Sequence, residues 1–171
     1  NLRYLCKEIG NRLSGSPGAA AAVEWTKQLM ESYGFDTVYL QPVMVPHWER
    51  GGNDVVRVVN SIKYGTISLT ALALGNTQGT GAKGITGQVV EVRGLSELQA
   101  LGSRVNGKIV FFNGPMDPTM VDAFAAYSRA VGQRSSGAAE AAKLGAIGTI
   151  VRSMNNQIDD FAHTGNQRYS P

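Results

Sequence analysis

Two histidines and a pair of aspartates are the residues most suggestive of metal or acid–base chemistry. His47 and His163 are the only imidazoles, and Asp159 and Asp160 lie a few positions before the second one. A metal site needs several such side chains to converge on one point. Adjacent side chains of an extended chain point to opposite sides, so the two aspartates do not share a direction. We therefore predict a surface or loop-bracing role for His163, and we identify no catalytic or metal-binding residue in this chain.

A second candidate is a phosphate-binding loop. Residues 102–109, Gly102-Ser-Arg-Val-Asn-Gly-Lys-Ile109, match the pattern G-x-x-x-x-G-K up to its last position. That position requires a Ser or Thr hydroxyl for magnesium, and the loop must follow a strand and precede a helix. Here the residue is Ile109 and the predicted strand comes after the loop. The segment is therefore predicted to be a turn, and a nucleotide-binding protein is the least favoured of three functional interpretations.

The candidate nucleophiles, two serines and one cysteine, also lack the sequence context of a catalytic site. Ser135 and Ser136 lack the flanking glycines of a nucleophile elbow and have no nearby histidine in the sequence. Cys6 is the only cysteine, which excludes an intrachain disulfide or a thiolate cluster. It shares a helical spacing with apolar neighbours, so we expect it to be a small buried residue.

The elements that must position these residues centre on a predicted β–α–β unit at residues 105–153. Residues 109–112 are a continuous apolar run, typical of a strand covered on both faces, and residues 149–151 are the next strand. Between them we predict a helix from Val121 to about Gln133, then a small-residue helix. The second helix is predicted to bury small residues against a sheet: Ala138, Ala141, Ala142 and Gly145.

The amino-terminal part reads as helices followed by a strand. Apolar residues recur at helical spacing up to Ile9, and Gly10 ends that helix. Ser16 is a good N-cap with Pro17 at the first position of a second helix, which Gly34 ends. Alternation predicts a strand over residues 35–45. After a break at residues 46–52, short strands are predicted at 55–59, 66–74 and 88–92, with a short helix at 96–101.

Composition limits the class of protein. The chain has 171 residues, 43% of them hydrophobic and 17% charged, with a net charge of +3. Its basic residues are scattered, so we expect no nucleic-acid partner. Its apolar stretches are too short for a membrane span, and no signal peptide is recognised. Because the chain begins at Asn1, we expect a mature or trimmed product, from which any secretion signal would already have been removed.

Several segments occur together in an order that resembles a known family. They are Ile9-Gly-Asn-Arg-Leu-Ser-Gly-Ser-Pro17, the helix end Tyr33-Gly-Phe35, Val45-Pro-His-Trp-Glu-Arg-Gly51, Gly84-Ile-Thr-Gly-Gln-Val-Val90, Gly107-Lys-Ile-Val110, Gly137-Ala-Ala-Glu-Ala-Ala-Lys-Leu-Gly-Ala146, Val151-Arg-Ser153 and His163-Thr-Gly-Asn-Gln-Arg-Tyr169. The chain resembles the amino-terminal part of the secreted zinc-dependent aminopeptidases, in their carboxypeptidase Q-like branch.

The resemblance implies an α/β (α+β) layout in two parts. Residues 1–48 would be the first helices and first strand of the peptidase α/β domain, which is incomplete here. Residues 49–171 would be a β-rich protease-associated domain with flanking helices, lacking its last strand. The family's zinc ligands and its catalytic glutamate lie downstream of this insertion. We therefore expect no cofactor in this chain, zinc in the whole protein, and an extracellular or periplasmic location.

The resemblance also implies partners and contact residues. The first partner would be the remainder of the chain's own peptidase domain, and the whole protein would bind a peptide substrate. Loop 11–17 would lie near the substrate cleft, which makes Arg12 and Ser14 candidates for contact. The missing strand predicts an open sheet edge, and hence a possible homo-oligomer.

Two functions remain open besides the nucleotide interpretation. The first is a non-catalytic portion of a zinc exopeptidase that hydrolyses peptides or dipeptides at a di-zinc site elsewhere in the protein. The alternative is a stand-alone module that binds peptides or another protein without enzymatic activity. The sequence leaves open whether this chain has any activity of its own.

Overall fold

The structure, a computed structural model, describes residues 1–157 and 159–169. The chain divides into two compact units, unit 1 at Asn1–Arg50 and unit 2 at Gly51–Pro171. Helices and strands are both present, as the α/β prediction requires. In the described residues, no helix is long and apolar enough to cross a membrane.

Unit 1 is built on two helical segments. A single α-turn, α1 (Leu2–Tyr4), continues as a π-helix at Leu5–Ile9, and Gly10 ends it with φ of +76°. The second helix, α2, spans Pro17–Ser32. The Ser16 hydroxyl accepts a hydrogen bond from the Ala19 backbone N–H at 3.2 Å, and Gly34 follows the helix with φ of +76°. The predicted cap and the predicted end are therefore confirmed.

Two predictions for unit 1 are wrong. Residues 35–45, all of them described, contain no assigned strand, and Cys6 is exposed. Alternating apolar residues form a strand only where a neighbouring strand supplies hydrogen bonds, and residues 35–45 have no such neighbour here. Cys6 is exposed because no side chain of either helical segment is buried.

Unit 2 begins with a two-stranded antiparallel hairpin. Strand β1 (Val56–Ser61) pairs with β2 (Gly65–Leu69), with Val58 opposite Ile67. Gly65 has φ of +64°, and the Ser61 hydroxyl accepts a hydrogen bond from the Tyr64 N–H at 3.1 Å. The second strand ends at Leu69, five residues earlier than predicted.

The core of unit 2 is a three-stranded parallel sheet in the order β3–β4–β5. The strands are β3 (Val89–Val92), β4 (Ile109–Phe112) and β5 (Gly148–Val151), and all three predicted positions are confirmed within two residues. Helix α3 (Leu95–Leu101) connects β3 to β4 through a 3-10 turn at Gly102–Val105. Six buried residues form the main core: Val92, Leu98, Val105, Val110, Phe112 and Ala141.

The glycine-rich segment before β4 is a turn, as predicted. The Lys108 N–H donates to the Val105 carbonyl at 3.0 Å, and Gly107 has φ of +70°. A strand follows this turn, in the opposite order to that of a phosphate-binding loop. The order of elements therefore removes the basis for the nucleotide interpretation.

Three short helices connect β4 to β5. They are α4 (Ala123–Ala130), α5 (Gly132–Ser135) and α6 (Gly137–Lys143), so the predicted helix at 121–133 is interrupted after Ala130. The buried small residues of α6 are Gly137, Ala139 and Ala141, whereas Ala142 and Gly145 are exposed. The burial prediction is therefore right for Ala141 and wrong for Ala142 and Gly145, while Ala138 is half-buried. The contact of this helix with the sheet is confirmed. A Cβ atom on Gly137 would lie 2.8 Å from the Phe112 ring.

Candidate functional site

Arg12, the first predicted contact residue, is occupied by hydrogen bonds within unit 1. Its Nη1 atom donates to the Leu5 carbonyl at 2.6 Å and to the Gly10 carbonyl at 2.5 Å. The Leu5 carbonyl also accepts the Gly10 backbone N–H at 3.0 Å, and a cation at a helix C-terminus complements the helix dipole. Arg12 therefore ties loop 11–17 to the end of the first helical segment. Its side chain remains exposed.

Ser14, the second predicted contact residue, connects the same loop to the end of unit 1. Its hydroxyl donates to the Pro46 carbonyl at 2.8 Å. The next residue, Gly15, has φ of +75°, and a Cβ atom there would lie 2.6 Å from Nδ1 of His47. His47 in turn pairs with Glu49, with 2.9 Å between Nε2 and Oε1. Loop 11–17 and residues 46–49 are therefore held together as one surface.

This surface holds the loop in place, and its groups do not form a nucleophile–base pair. The Ser14 hydroxyl points its hydrogen at a backbone carbonyl rather than at the imidazole. The His47 ring and the Glu49 carboxylate are both exposed, at 45% and 72% of their side chains. Exposed pairs of this kind contribute little to stability and are screened by salt. Arg12 and Ser14 are brought together on one loop, and their contact with a peptide stays a prediction.

An apolar groove runs along α2. It has a volume of about 440 Å³ and lies between one face of the helix and residues 37–40. Met30, Tyr39 and Leu40 line it and are 39%, 77% and 49% exposed. Met44, a little further along, is 97% exposed. Unit 1 therefore exposes a large apolar surface, and none of its side chains is buried.

His163 braces a loop, as predicted. Its Nδ1 atom lies 2.8 Å from the Met154 carbonyl, and its backbone N–H donates to the Ser153 hydroxyl at 3.1 Å. Asp159 accepts a hydrogen bond from the Phe161 backbone N–H at 3.0 Å. Within residues 1–157 and 159–169, no three His, Cys, Asp or Glu side chains are grouped so that they could hold a metal ion.

A buried arginine in unit 2 is the clearest feature that the sequence did not indicate. Arg134 is only 9% exposed. It donates from Nη2 to the Tyr127 hydroxyl and from Nη1 to the Thr164 carbonyl, while its Nε has no partner among the described residues. A Cβ atom on Gly165 would lie 2.5 Å from Arg134 Cζ. The guanidinium therefore holds residues 164–165 close against the helical layer.

Residues 163–169 are also bonded to the start of a second glycine-rich loop, residues 75–84. Gly75 forms an isolated parallel bridge with Asn166, with hydrogen bonds to Gly165 and Gln167 at 2.7 and 3.1 Å. Gln167 is 4% exposed, and its amide donates to Thr77 and Tyr169. The buried amide is thus satisfied, as burial requires. Residues 163–169 are a structural part of unit 2.

Comparison with known proteins identifies the relatives of this chain. It is 38% identical to carboxypeptidase Q of Bos taurus and of Homo sapiens over 168 residues, which is 98% of this chain and 33% of each relative. A crystal structure of a peptidase M28 precursor from Shewanella amazonensis superposes with a TM-score of 0.80 at 35% identity. That match covers 99% of this chain and 37% of the other. No family model matches.

The chain is a relative of carboxypeptidase Q. The predicted resemblance to carboxypeptidase Q-like peptidases is therefore confirmed, and so is the α/β fold class. Carboxypeptidase Q of Xenopus laevis is also similar, at 37% identity over 94% of this chain. The chain spans about a third of the length of these carboxypeptidase Q sequences.

Proposed function

We propose that this chain is the amino-terminal, non-catalytic part of a secreted zinc-dependent exopeptidase that hydrolyses peptides or dipeptides. Residues 1–48 would be the first helices of its peptidase domain, and residues 49–171 its protease-associated domain. The supporting observation is the continuous relation to carboxypeptidase Q, which includes 98% of this chain but only a third of the relative. Such a span crosses both units, so both would belong to one larger protein.

The exposure of unit 1 supports a partner from the same protein. A domain is stable when its elements bury their apolar faces against one another. Unit 1 has no buried side chain, and its exposed apolar residues include Met30, Tyr33, Phe35, Tyr39 and Met44. Burying one such side chain contributes about 1.5–3 kcal/mol. We propose that the remainder of the peptidase domain covers this face.

Zinc would have to be held by residues outside this chain. The described residues do not fit a zinc site, since they bring no three potential ligands together. In a zinc hydrolase the metal activates a bound water and polarises the scissile carbonyl. The contribution of this chain would be to position loop 11–17, in which Arg12 and Ser14 are fixed by backbone hydrogen bonds. A peptide substrate and an extracellular or periplasmic location belong to the same proposal.

An edge of the parallel sheet supports the proposed homo-oligomer. In the described part of the chain, β5 pairs only with β4, which leaves its other side as a sheet edge. Unpaired strand edges are sites of association unless they are protected. We propose that a second copy, or another strand of the same protein, covers it.

The alternative, a stand-alone peptide- or protein-binding module, is favoured by one observation. Among the described residues, unit 2 contains both buried clusters, the one around Phe112 and the one formed by Met116, Ala126 and Met154. It could therefore fold without unit 1. The exopeptidase proposal explains more, because the relation to carboxypeptidase Q extends through unit 1 as well.

The test is hydrolysis of dipeptides by the full-length product of the gene, measured before and after metal removal. We expect a chelator to abolish hydrolysis and added zinc to restore it. The 171-residue chain at the same concentration is the control and is expected to be inactive. Chelator-insensitive hydrolysis, or none with zinc restored, would overturn the proposal.

A further inference from the structure

A cleft in unit 2 lies outside the carboxyl ends of β3 and β4. It has a volume of about 500 Å³ and is lined by the residues that follow β3, Arg93 and Gly94, and those that follow β4, Gly114 and Pro115. Helix α4 forms the facing wall, with Ala126 and Arg129. Ligand sites of parallel sheets lie outside the carboxyl ends of the strands. The volume is within the range of small-molecule sites.

The base of this cleft is fixed in place by a buried amide. Gln133 is 4% exposed, and its side chain both accepts from the Gly114 N–H at 3.1 Å and donates to the Gly114 carbonyl at 2.7 Å. A Cβ atom on Gly114 would lie only 2.4 Å from the Arg93 carbonyl oxygen. The two loops therefore pack backbone against backbone. A cleft held in this way is largely preformed, which lowers the entropic cost of binding.

Four charged side chains line the cleft, two of each sign: Arg93, Arg129, Glu97 and Asp117. One oxygen of each carboxylate is engaged locally. Oε2 of Glu97 accepts from the Arg93 backbone N–H at 2.7 Å, and Oδ1 of Asp117 accepts from the backbone and hydroxyl of Thr119. No hydrogen bond within residues 1–157 and 159–169 engages the second oxygen of either carboxylate or either guanidinium.

We propose that this cleft binds a short zwitterionic peptide, a free dipeptide. The guanidinium groups would take its terminal carboxylate, and the free carboxylate oxygens would take its terminal ammonium group. Balanced charges favour a ligand that carries both signs over a simple anion or cation, because only such a ligand can pair with the guanidinium groups and the carboxylates at once. The choice of a peptide over another zwitterion rests on the proposed exopeptidase function.

The test is a titration of the 171-residue chain with three ligands, followed by the backbone amide NMR signals of Gly94, Gly114 and Arg129. The ligands are alanyl-alanine, N-acetyl-alanyl-alanine and alanyl-alanine amide. We expect alanyl-alanine to bind about tenfold tighter than either capped form, since each cap removes one charged partner. Equal affinity for the three ligands, or no shifts at these residues, would overturn the proposal. So would equally tight binding of inorganic phosphate, which would show a simple anion site.

Variants assign the two ends of the ligand. Arg129→Gln should weaken alanyl-alanine about tenfold without weakening alanyl-alanine amide. Asp117→Asn should weaken alanyl-alanine without weakening N-acetyl-alanyl-alanine. The Asp117→Asn variant keeps an oxygen that can accept from Thr119. Arg57→Gln, on the exposed strand β1, is the matched control and should change nothing. If Arg129→Gln weakens binding no more than Arg57→Gln, the proposal is wrong.

The outcome is independent of the proposed peptidase activity. The titration measures binding to this chain and requires neither zinc nor hydrolysis. Binding without peptidase activity in the full-length product would refute the exopeptidase proposal alone. Activity without binding would refute the cleft proposal alone.

Discussion

Phe112 offers the sharpest test of where the stability of this chain comes from. Its side chain is fully buried on β4, while Phe124 at the start of α4 is 83% exposed. Replacing a buried Phe with Ala removes apolar contacts and leaves a cavity, which costs about 3–5 kcal/mol. Replacing an exposed Phe away from such contacts changes stability by about 0.5 kcal/mol or less. The pair therefore compares one chemical change in two environments.

The assay is urea unfolding of the 171-residue chain, followed by circular dichroism. With a slope of about 2 kcal/mol per M, a loss of about 4 kcal/mol lowers the unfolding midpoint by about 2 M. We expect Phe112→Ala to show that shift and Phe124→Ala to lie within about 0.3 M of the unchanged chain. Equal shifts for the two variants would refute the assignment of the core to β4 and its neighbours.

Two further predictions concern a helix contact and a carboxylate. Gly137→Ala should destabilise the chain by about 1–3 kcal/mol, because its Cβ would lie 2.8 Å from the Phe112 ring. Gly132→Ala, whose nearest contact is 3.8 Å away, should instead stabilise by about 0.5–1 kcal/mol in the same urea experiment; the reverse order would contradict the packing of α6. The pKa of Asp117 is lowered from 3.8, first by the Thr119 hydroxyl and then by the Thr119 backbone N–H. A lowered pKa contributes stability that is present above 3.8 and is lost as pH falls through the folded value. An NMR titration should place the Asp117 midpoint below 3.8, and Thr119→Ala should raise it; an unchanged midpoint in that variant would contradict the assigned cause.

The sheet of unit 2 could be predicted from the sequence because its signals are local. A turn at Gly107 followed by a continuous apolar run predicts β4. The apolar residues that lead up to Val92 and those that follow Gly148 predict the two neighbouring strands, β3 and β5. The phase of α6 was harder to predict. Its small residues occur all along the helix, so composition does not show which of them face Phe112.

Residues 35–45 show the limit of sequence patterns in unit 1. Their alternation is that of a strand, but a strand exists only with a hydrogen-bonded partner, and this unit has none. The predicted burial of Cys6 is wrong for a related reason. A helix has a buried face only where another element covers it, and Cys6 is exposed. Both errors concern groups whose partners would come from elsewhere in the protein.

The polar contacts of unit 1 could be predicted from the sequence in part, and those of the buried polar residues in unit 2 could not. Arg12 and Ser14 were identified through a family resemblance, whereas their bonds to nearby carbonyls follow from the path of one loop. No sequence pattern indicates that the side chains of Arg134 and Gln167 are buried. They are buried because residues 163–169 return to the loop that begins at Gly75, some 90 positions earlier in the chain. No local periodicity encodes such a contact.

Unit 1 is proposed to be one part of a larger peptidase domain. The most direct measurement is amide hydrogen exchange of α2 in the 171-residue chain and in the full-length gene product. We expect α2 to exchange at least about a hundredfold more slowly in the full-length protein, because burial of its apolar face raises the free energy of opening by about 3 kcal/mol or more. The amides of β4 are the internal control and should be protected in both. Equal protection of α2 in the two proteins would contradict the proposal that another part of the peptidase domain covers this helix.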